Sequence, residues 1–319
     1  MARFRPHRMY PGALLAQESC TYQAMTELLG RLRGDLVVLI HSDRDCSNVL
    51  PKTRGRVHAH HPYKFLCTNL REDEMVTGQG NRKLRKAIEL VNDAWHPALI
   101  VVLSTCPTVM IGDNIKNVTR KAARELGIRA VSRITHGLKP QSPAEVVDIL
   151  YSTLSDAAAP AEGDRSRSLN LVGISLDEDE RAEIDAIAAA MDLTLNVVID
   201  ERAEVEDFLR LGQAGWNVHP GPNMLIGFDA QCTERLQMGA IEVPLPYGVQ
   251  ASDRFWQRIA TATGVDDATL QGALSPFRAP AQAAIDAFKA SQQAHIAQAG
   301  RPLRLAYNIG SVRSFDLRR

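Results

Sequence analysis

The sequence predicts an α/β fold of two Rossmann-like domains, each built on a parallel sheet. Three observations carry this expectation. Short apolar runs alternate with amphipathic stretches, a small polar segment interrupts the alternation once, and the alternation then resumes. Apolar runs of this kind suit strands buried on both faces, and the stretches between them supply the crossover helices.

In the first half, residues 36–41, 98–103 and 128–134 are the strand candidates. Helices are predicted ahead of them over residues 22–33, 81–94 and 114–126. Residues 155–168 are small, polar and interrupted by Pro160 and Gly163, the composition of a linker. The chain thus divides into an N-terminal domain over 1–154, a linker over 155–168 and a second domain over 169–319. In the second domain, strands are expected at 169–174, 193–199, 224–228 and 240–243, with helices at 178–191 and 253–263. Residues 280–299 are rich in Ala and Gln and read as a helix with Pro280 in its first turn. A final strand over 303–307 has no successor, so it either opens a truncated third domain or joins an existing sheet.

Composition narrows the function. The 37 basic and 37 acidic residues cancel, which gives no field for nucleic acid or an anionic membrane. Aromatic residues make up only 5%, too few for base-stacking platforms. No apolar run reaches the length of a membrane span, and no apolar stretch follows the basic start as a secretory signal requires. Five widely spaced cysteines do not make a disulfide framework, so a reducing cytoplasm is the expected compartment.

Three of those cysteines sit at comparable places. Cys20 lies just before the first helix, Cys46 follows the strand ending at His41, and Cys106 follows the strand ending at Leu103. Ligands of parallel sheets gather beyond the carboxyl ends of the strands, where Cys46 and Cys106 are expected and Cys20 is within reach. Thiolates there suit an iron–sulfur cluster, while small buried thiols in a core are the alternative. Zinc fits less well without a Cys-x-x-Cys pair. His58, His60 and His61 with Cys67 are either a metal-binding group or a solvated loop.

At these residues the chain resembles the nitrogenase component 1 family. The stretch Leu70-Arg-Glu-Asp-Glu-Met-Val-Thr-Gly-Gln-Gly80 is similar to the family's acidic "E-D-x-V-F-G-G" segment. Ser104-Thr-Cys-Pro-Thr-Val-Met-Ile-Gly-Asp-Asn114 is similar to its "(S/T)-x-C-x-x-x-x-x-G-D-D" segment. The cysteine spacings of 26 and 60 residues also match. The resemblance implies that Cys20, Cys46 and Cys106 are the thiolates one subunit gives to a bridging cluster. That cluster is either the eight-iron, seven-sulfur P-cluster type or a four-iron, four-sulfur type. It implies two partners, a homologous catalytic α-type subunit that shares the cluster and an ATP-dependent iron-protein reductase. Gly112 and Asp113 are expected to shape the turn that orients the Cys106 loop, and the loop from Thr108 to Asn117 is the expected docking footprint.

One stretch departs from the pattern. The family's "H-G-x-x-G-C" reads His41-Ser-Asp-Arg-Asp-Cys46 here, with Ser42 and Asp45 in place of both glycines. Asp43 and Asp45 are surface carboxylates or an added oxygen ligand. Leu245-Pro-Tyr-Gly-Val-Gln-Ala-Ser-Asp-Arg-Phe255 is similar to the "P-x-G-x-x-x-T-D-x-F" of non-catalytic β-type subunits. Cys232 is read as a core or surface residue on a helix. The third family domain, largely missing, is the one that carries a cofactor histidine in catalytic subunits. These likenesses imply an electron-relaying β-type subunit, with reductive C–S cleavage of methylthio-alkanes as the favoured reaction. A cofactor-assembly scaffold, or a subunit of a dinitrogen or tetrapyrrole reductase, is the alternative.

Overall fold

A computed structural model describes residues 20–46, 65–138, 141–221 and 225–300. They form two compact units. One takes the described residues of Met1–Ala161, Ile199–Gly212 and Asn223–Met238, and the other those of Glu162–Val198, Gln213–Pro222 and Gly239–Arg319.

The first unit begins with helix α1 (Thr21–Arg31), then β1 (Leu36–His41) and the short β2 (Phe65–Cys67). Helices α2 (Glu72–Val76) and α3 (Gly80–Trp95) lead to β3 (Leu99–Ser104). Helices α4 (Cys106–Met110) and α5 (Ile115–Leu126) lead to β4 (Ala130–Arg133), and α6 (Pro143–Ser155) follows. All strands are parallel, in the order β2-β1-β3-β4. Every residue of β1 and β3 is buried, as near-continuous aliphatic runs in a doubly covered sheet require. Val37, Leu39, Ile100 and Val102 pack against Leu84, Ile88 and Val91 of α3 and Ile115 and Ala122 of α5.

The chain returns to this unit twice. Helix α8 (Val205–Leu209) and helix α9 (Ile226–Leu236) both pack on α6. The Tyr151 ring meets Phe208 and Phe228 edge-on, at centroid distances of 5.5 and 6.0 Å. Burial, reinforced by the charges of Asp200 and Glu201, pushes the Tyr151 hydroxyl up to about 12.

The second unit repeats the plan. Strands β5 (Ser168–Val172), β6 (Thr194–Ile199), β7 (Trp216–Pro220) and β8 (Gly239–Val243) lie in the order β6-β5-β7-β8. Its core joins Leu169, Leu171, Val218 and Ile241 to Ile184 and Ile187 of α7 (Glu178–Ala190) and to Phe255, Trp256 and Ile259 of α10 (Val249–Thr263). A row of amides crosses the sheet: Asn196 Nδ2 donates to Asn170 at 2.8 Å, and Asn170 Nδ2 donates to Asn217 at 2.9 Å.

Two parallel sheets meet the predicted fold class, with four corrections to its elements. Residues 226–228 of the strand expected at 224–228 are instead the start of α9, whose first turn is capped from elsewhere in the unit. Strands β2 and β7 were not anticipated. The short β2 is only half-buried, and β7 carries Asn217 and His219 where an apolar reading expects aliphatics. Helix α10 starts four residues before the predicted 253. Pro280 does not open a helix. It lies with Pro276 inside α11 (Asp267–Ala299), whose buried residues Leu270, Ala273 and Leu274 all precede Pro276. The strand expected at 303–307 lies outside the described residues.

Candidate functional site at the carboxyl edge of the first sheet

In the order β2-β1-β3-β4, the chain goes from β1 outward to β2, then crosses back to lay β3 on the other side of β1. The crevice beyond the carboxyl ends of β1 and β3 is therefore a topological switch point, where loops diverge and leave room for a ligand. His41 ends β1 and pairs in register with Ser104, the end of β3. The two cysteine loops leave from these residues.

Each cysteine is placed by a local device. Cys20 is the extended N-cap residue of α1, and its carbonyl accepts the first helical hydrogen bond from Ala24. Cys46 lies in helical backbone with residues 44 and 45, and its carbonyl accepts from the Tyr22 hydroxyl at 3.2 Å. Cys106 opens α4, where Pro107 takes an early position at which its missing N–H is not needed.

Cys20 and Cys106 approach one another. A Cβ built on Gly137 would lie 2.9 Å from the Cys20 Cβ and 3.8 Å from the Cys106 Sγ. The Gly137 amide itself donates to Cys106 Sγ at 3.2 Å. Burial pushes the Cys46 thiol up, Asp43 and Cys106 add to this, and hydrogen bonds with Ser42 and Thr105 oppose it. Cys20 and Cys106 thus share one glycine, and Cys46 lies within the electrostatic reach of Cys106. All three are half-buried, so each presents part of its surface outward. Among the described residues, no three His, Cys, Asp or Glu side chains close on a point suited to one metal ion. The donor set of soft thiolates around a backbone without a Cβ fits a sulfur-bridged iron cluster.

A buried polar seat lies behind the thiols. His41 Nε2 is 3.0 Å from Asp113 Oδ2, and its Nδ1 is 3.2 Å from the Thr68 hydroxyl. The Thr105 hydroxyl donates to Ser42 Oγ at 2.7 Å, bridging the loops that follow β1 and β3. The Thr108 hydroxyl reaches the His41 carbonyl at 3.1 Å. Ser42, a departure from the family's glycine, is fully buried in this network, which gives its hydroxyl a specific partner. Asp113 bonds His41 and does not cap a helix; Asn114 caps α5, and Gly112 supplies the left-handed turn at φ +77°. Residue types alone gave no sign of the histidine–aspartate pair, because 72 residues separate its members.

The other sequence candidates fall elsewhere. Cys67 ends β2, and its Sγ lies 3.3 Å from the Asp43 carbonyl. His58, His60 and His61 lie outside the described residues. Asp43 Oδ1 accepts from the Ser42 hydroxyl at 3.2 Å and from the Asp45 amide at 3.1 Å. Cys232 is buried in α9, the core alternative of its sequence reading. Apolar side chains stand exposed near the cysteines: Met110 and Ile111 at the end of α4, and Ile134 and Leu138 on the loop that holds Gly137. Among the described residues, no helix is long and apolar enough to cross a membrane.

NifE, the nitrogenase iron-molybdenum cofactor biosynthesis protein of Nostoc, is 25% identical over 313 residues, covering 96% of this chain and 62% of NifE. NifE of Methanococcus maripaludis is 30% identical over 168 residues, covering 51% of this chain and 34% of that one. The nitrogenase molybdenum-iron protein alpha chain of Methanosarcina barkeri is 29% identical over 138 residues, 41% of this chain and 26% of that one. The chain therefore spans less than two thirds of the length of these relatives. The solved structure of nitrogenase Cp1 at pH 5 shares the fold with a TM-score of 0.61 at 22% identity, covering 88% of this chain and 57% of that one. A family model described as nitrogenase component 1 type oxidoreductase matches residues 29–301, most of the sequence, and the chain belongs to that family.

Proposed function

We propose that this chain is a cytoplasmic, electron-relaying β-type subunit of an ATP-dependent nitrogenase-like reductase. In this reading Cys20, Cys46 and Cys106 hold one side of an iron–sulfur cluster, of the P-cluster type or a four-iron type, where the chain meets a homologous α-type subunit. The observation that carries it is the approach of Cys20 and Cys106 to Gly137, with Cys46 within the electrostatic reach of Cys106. A cluster so held supplies one-electron storage. The chain's own part is to fix the thiols. The Ser42–Thr105 bridge ties two cysteine loops together, and the Gly137 amide donates to the Cys106 sulfur. Three thiolates are one short of the four that a simple cubane takes, which calls for a ligand from a partner. The exposed Met110, Ile111, Ile134 and Leu138 give that partner and a docking iron protein an apolar surface around the thiols.

The β-type assignment is supported by the stretch over 245–255, and C–S cleavage of methylthio-alkanes by family likeness alone. A second reading, a scaffold on which a cofactor is built and handed on, is favoured by the likeness to NifE over 96% of the chain. Anaerobic purification with the co-expressed partner tests both. Iron content and the electron paramagnetic spectrum should change in Cys20→Ala, Cys46→Ala and Cys106→Ala but not in Cys232→Ala. Unchanged iron in Cys106→Ala sinks the cluster assignment. Substrate reduction with the iron protein, ATP and reductant supports the relay. Transfer of the cluster to an apo-enzyme without any reduction supports the scaffold.

A further inference from the structure

In the first unit, helix α5, strand β4 and helix α9 line a groove of about 500 Å³. That size falls within the usual range for small-molecule sites. Lys116, Arg120 and Arg124 line it from α5 at successive four-residue steps, and Arg235 lines it from α9. Arg235 is matched by Asp156 at 2.8 Å. Lys116, Arg120 and Arg124 have no hydrogen-bond or ion-pair partner among the described residues, and Glu234 is the one further carboxylate in the lining.

Several other helical cations of this chain are paired. Arg85 is held by Glu89 and Glu125, Lys121 by Glu125, and Arg181 by Asp185. Like charges four residues apart on a helix repel, so an unpaired row of three weakens α5 unless something negative lies against it. The groove wall adds an independent sign. Thr119 is buried there, and its hydroxyl has no hydrogen-bond partner among the described residues. A helical threonine ordinarily returns its hydroxyl to the carbonyl four residues back. Thr153, Thr261 and Thr263 all do so in this chain, to Ile149, Gln257 and Ile259. Thr119 does not, which leaves a buried hydroxyl in the wall of a groove carrying surplus positive charge.

We propose that this groove is a binding site for a small phosphorylated molecule carrying at least two negative charges. Successive side chains on α5 are about 6 Å apart along the axis, from a rise of about 1.5 Å per residue, a spacing that distributes them over neighbouring phosphoryl groups. Guanidinium groups meet phosphate oxygens through paired N–H donors, which favours phosphate over a diffuse anion for Arg120 and Arg124. A rotation of the Thr119 side chain adds a hydroxyl contact from the wall.

Titration calorimetry with inorganic pyrophosphate on the full-length chain, in the absence of any iron protein and nucleotide, tests the site. The expected result is one site, with affinity lowered at least tenfold in Arg120→Gln and in Arg124→Gln and severalfold in Thr119→Val. Lys121→Gln, on the same helix but outside the groove, should leave affinity unchanged. No binding by the wild-type chain overturns the proposal, as does equal weakening by Lys121→Gln. Tighter binding of citrate than of pyrophosphate overturns the phosphate class. Stronger binding of a polyglutamate peptide or an oligonucleotide overturns the small-molecule class.

Discussion

His41 and Asp113 face each other across the first sheet's carboxyl edge, with Nε2 3.0 Å from Oδ2 and both side chains almost fully buried. The carboxylate can only accept, so the neutral imidazole carries its proton on Nε2. The pair ties the strand before Cys46 to the turn after Cys106.

The pH dependence has a definite sign. Burial holds the His41 pKa below its ordinary value of 6.5, with Lys83 lowering it further and Asp113 opposing. Unfolded chain therefore takes up a proton that the folded chain refuses, and folding stability falls as pH drops below about 6.5. The loss stops growing once the pH is below the folded value. Urea midpoints at pH 7.5 and 5.5 should show this fall in the wild-type chain and a flatter profile in His41→Gln. An identical fall in both would show that His41 does not contribute.

Gly80 protects the same pair. A Cβ at this position would overlap the Asp113 carboxylate. Gly80→Ala should therefore displace Asp113, leave His41 Nε2 without its acceptor, and cost about 1–3 kcal/mol. In the background of Asp113→Ala the added cost of Gly80→Ala should largely vanish. Simple additivity in that double-mutant cycle would argue against the mechanism.

At Gly137 the expected effect is on the thiols and not on the fold. An added methyl group would crowd the Cys20 Cβ at 2.9 Å. Gly137 lies on an exposed loop, so Gly137→Ala should keep the circular dichroism and melting profile of the wild type. Iron retained after anaerobic purification should fall severalfold. Normal iron retention would indicate that the glycine is not part of the seat.

Asp148 has a structural task that can be measured. Its carboxylate accepts the Gly227 amide at 2.9 Å and the Phe228 amide at 2.8 Å, capping α9 from α6. Asp148→Ala should destabilise the chain by about 1–2 kcal/mol, the usual value of a lost N-terminal cap. Asp148→Asn should cost less, because one amide oxygen still accepts. Equal losses for both would point to the charge and not to the hydrogen bonds.

How much of this was legible in the sequence depends on the range of each interaction. Strands β1 and β3 were visible because their residues are aliphatic throughout, and the places of Cys46 and Cys106 followed from where those strands end. Helix α9 was misread as a strand at its start because its cap, Asp148, lies 79 residues upstream. Strand β7 was hidden by Asn217, whose side chain is made acceptable in a core by Asn170 on the neighbouring strand. In the site, the thiols showed in their spacing. The His41–Asp113 pair and the shared Gly137 did not, since both depend on loops that converge only after the sheet has formed.

The first unit's interleaved segments bear on how the chain is made. Helix α6 buries its face against Phe208 and Phe228, which are synthesised well after the sheet it belongs to. A nascent chain that has emerged only to residue 161 holds all four strands of that sheet but lacks α8 and α9. Its apolar surface on α6 stays wet until roughly 75 further residues have left the ribosome, at least several seconds at typical elongation rates. Chaperone occupancy of stalled chains should be high up to that point and fall once α9 has emerged.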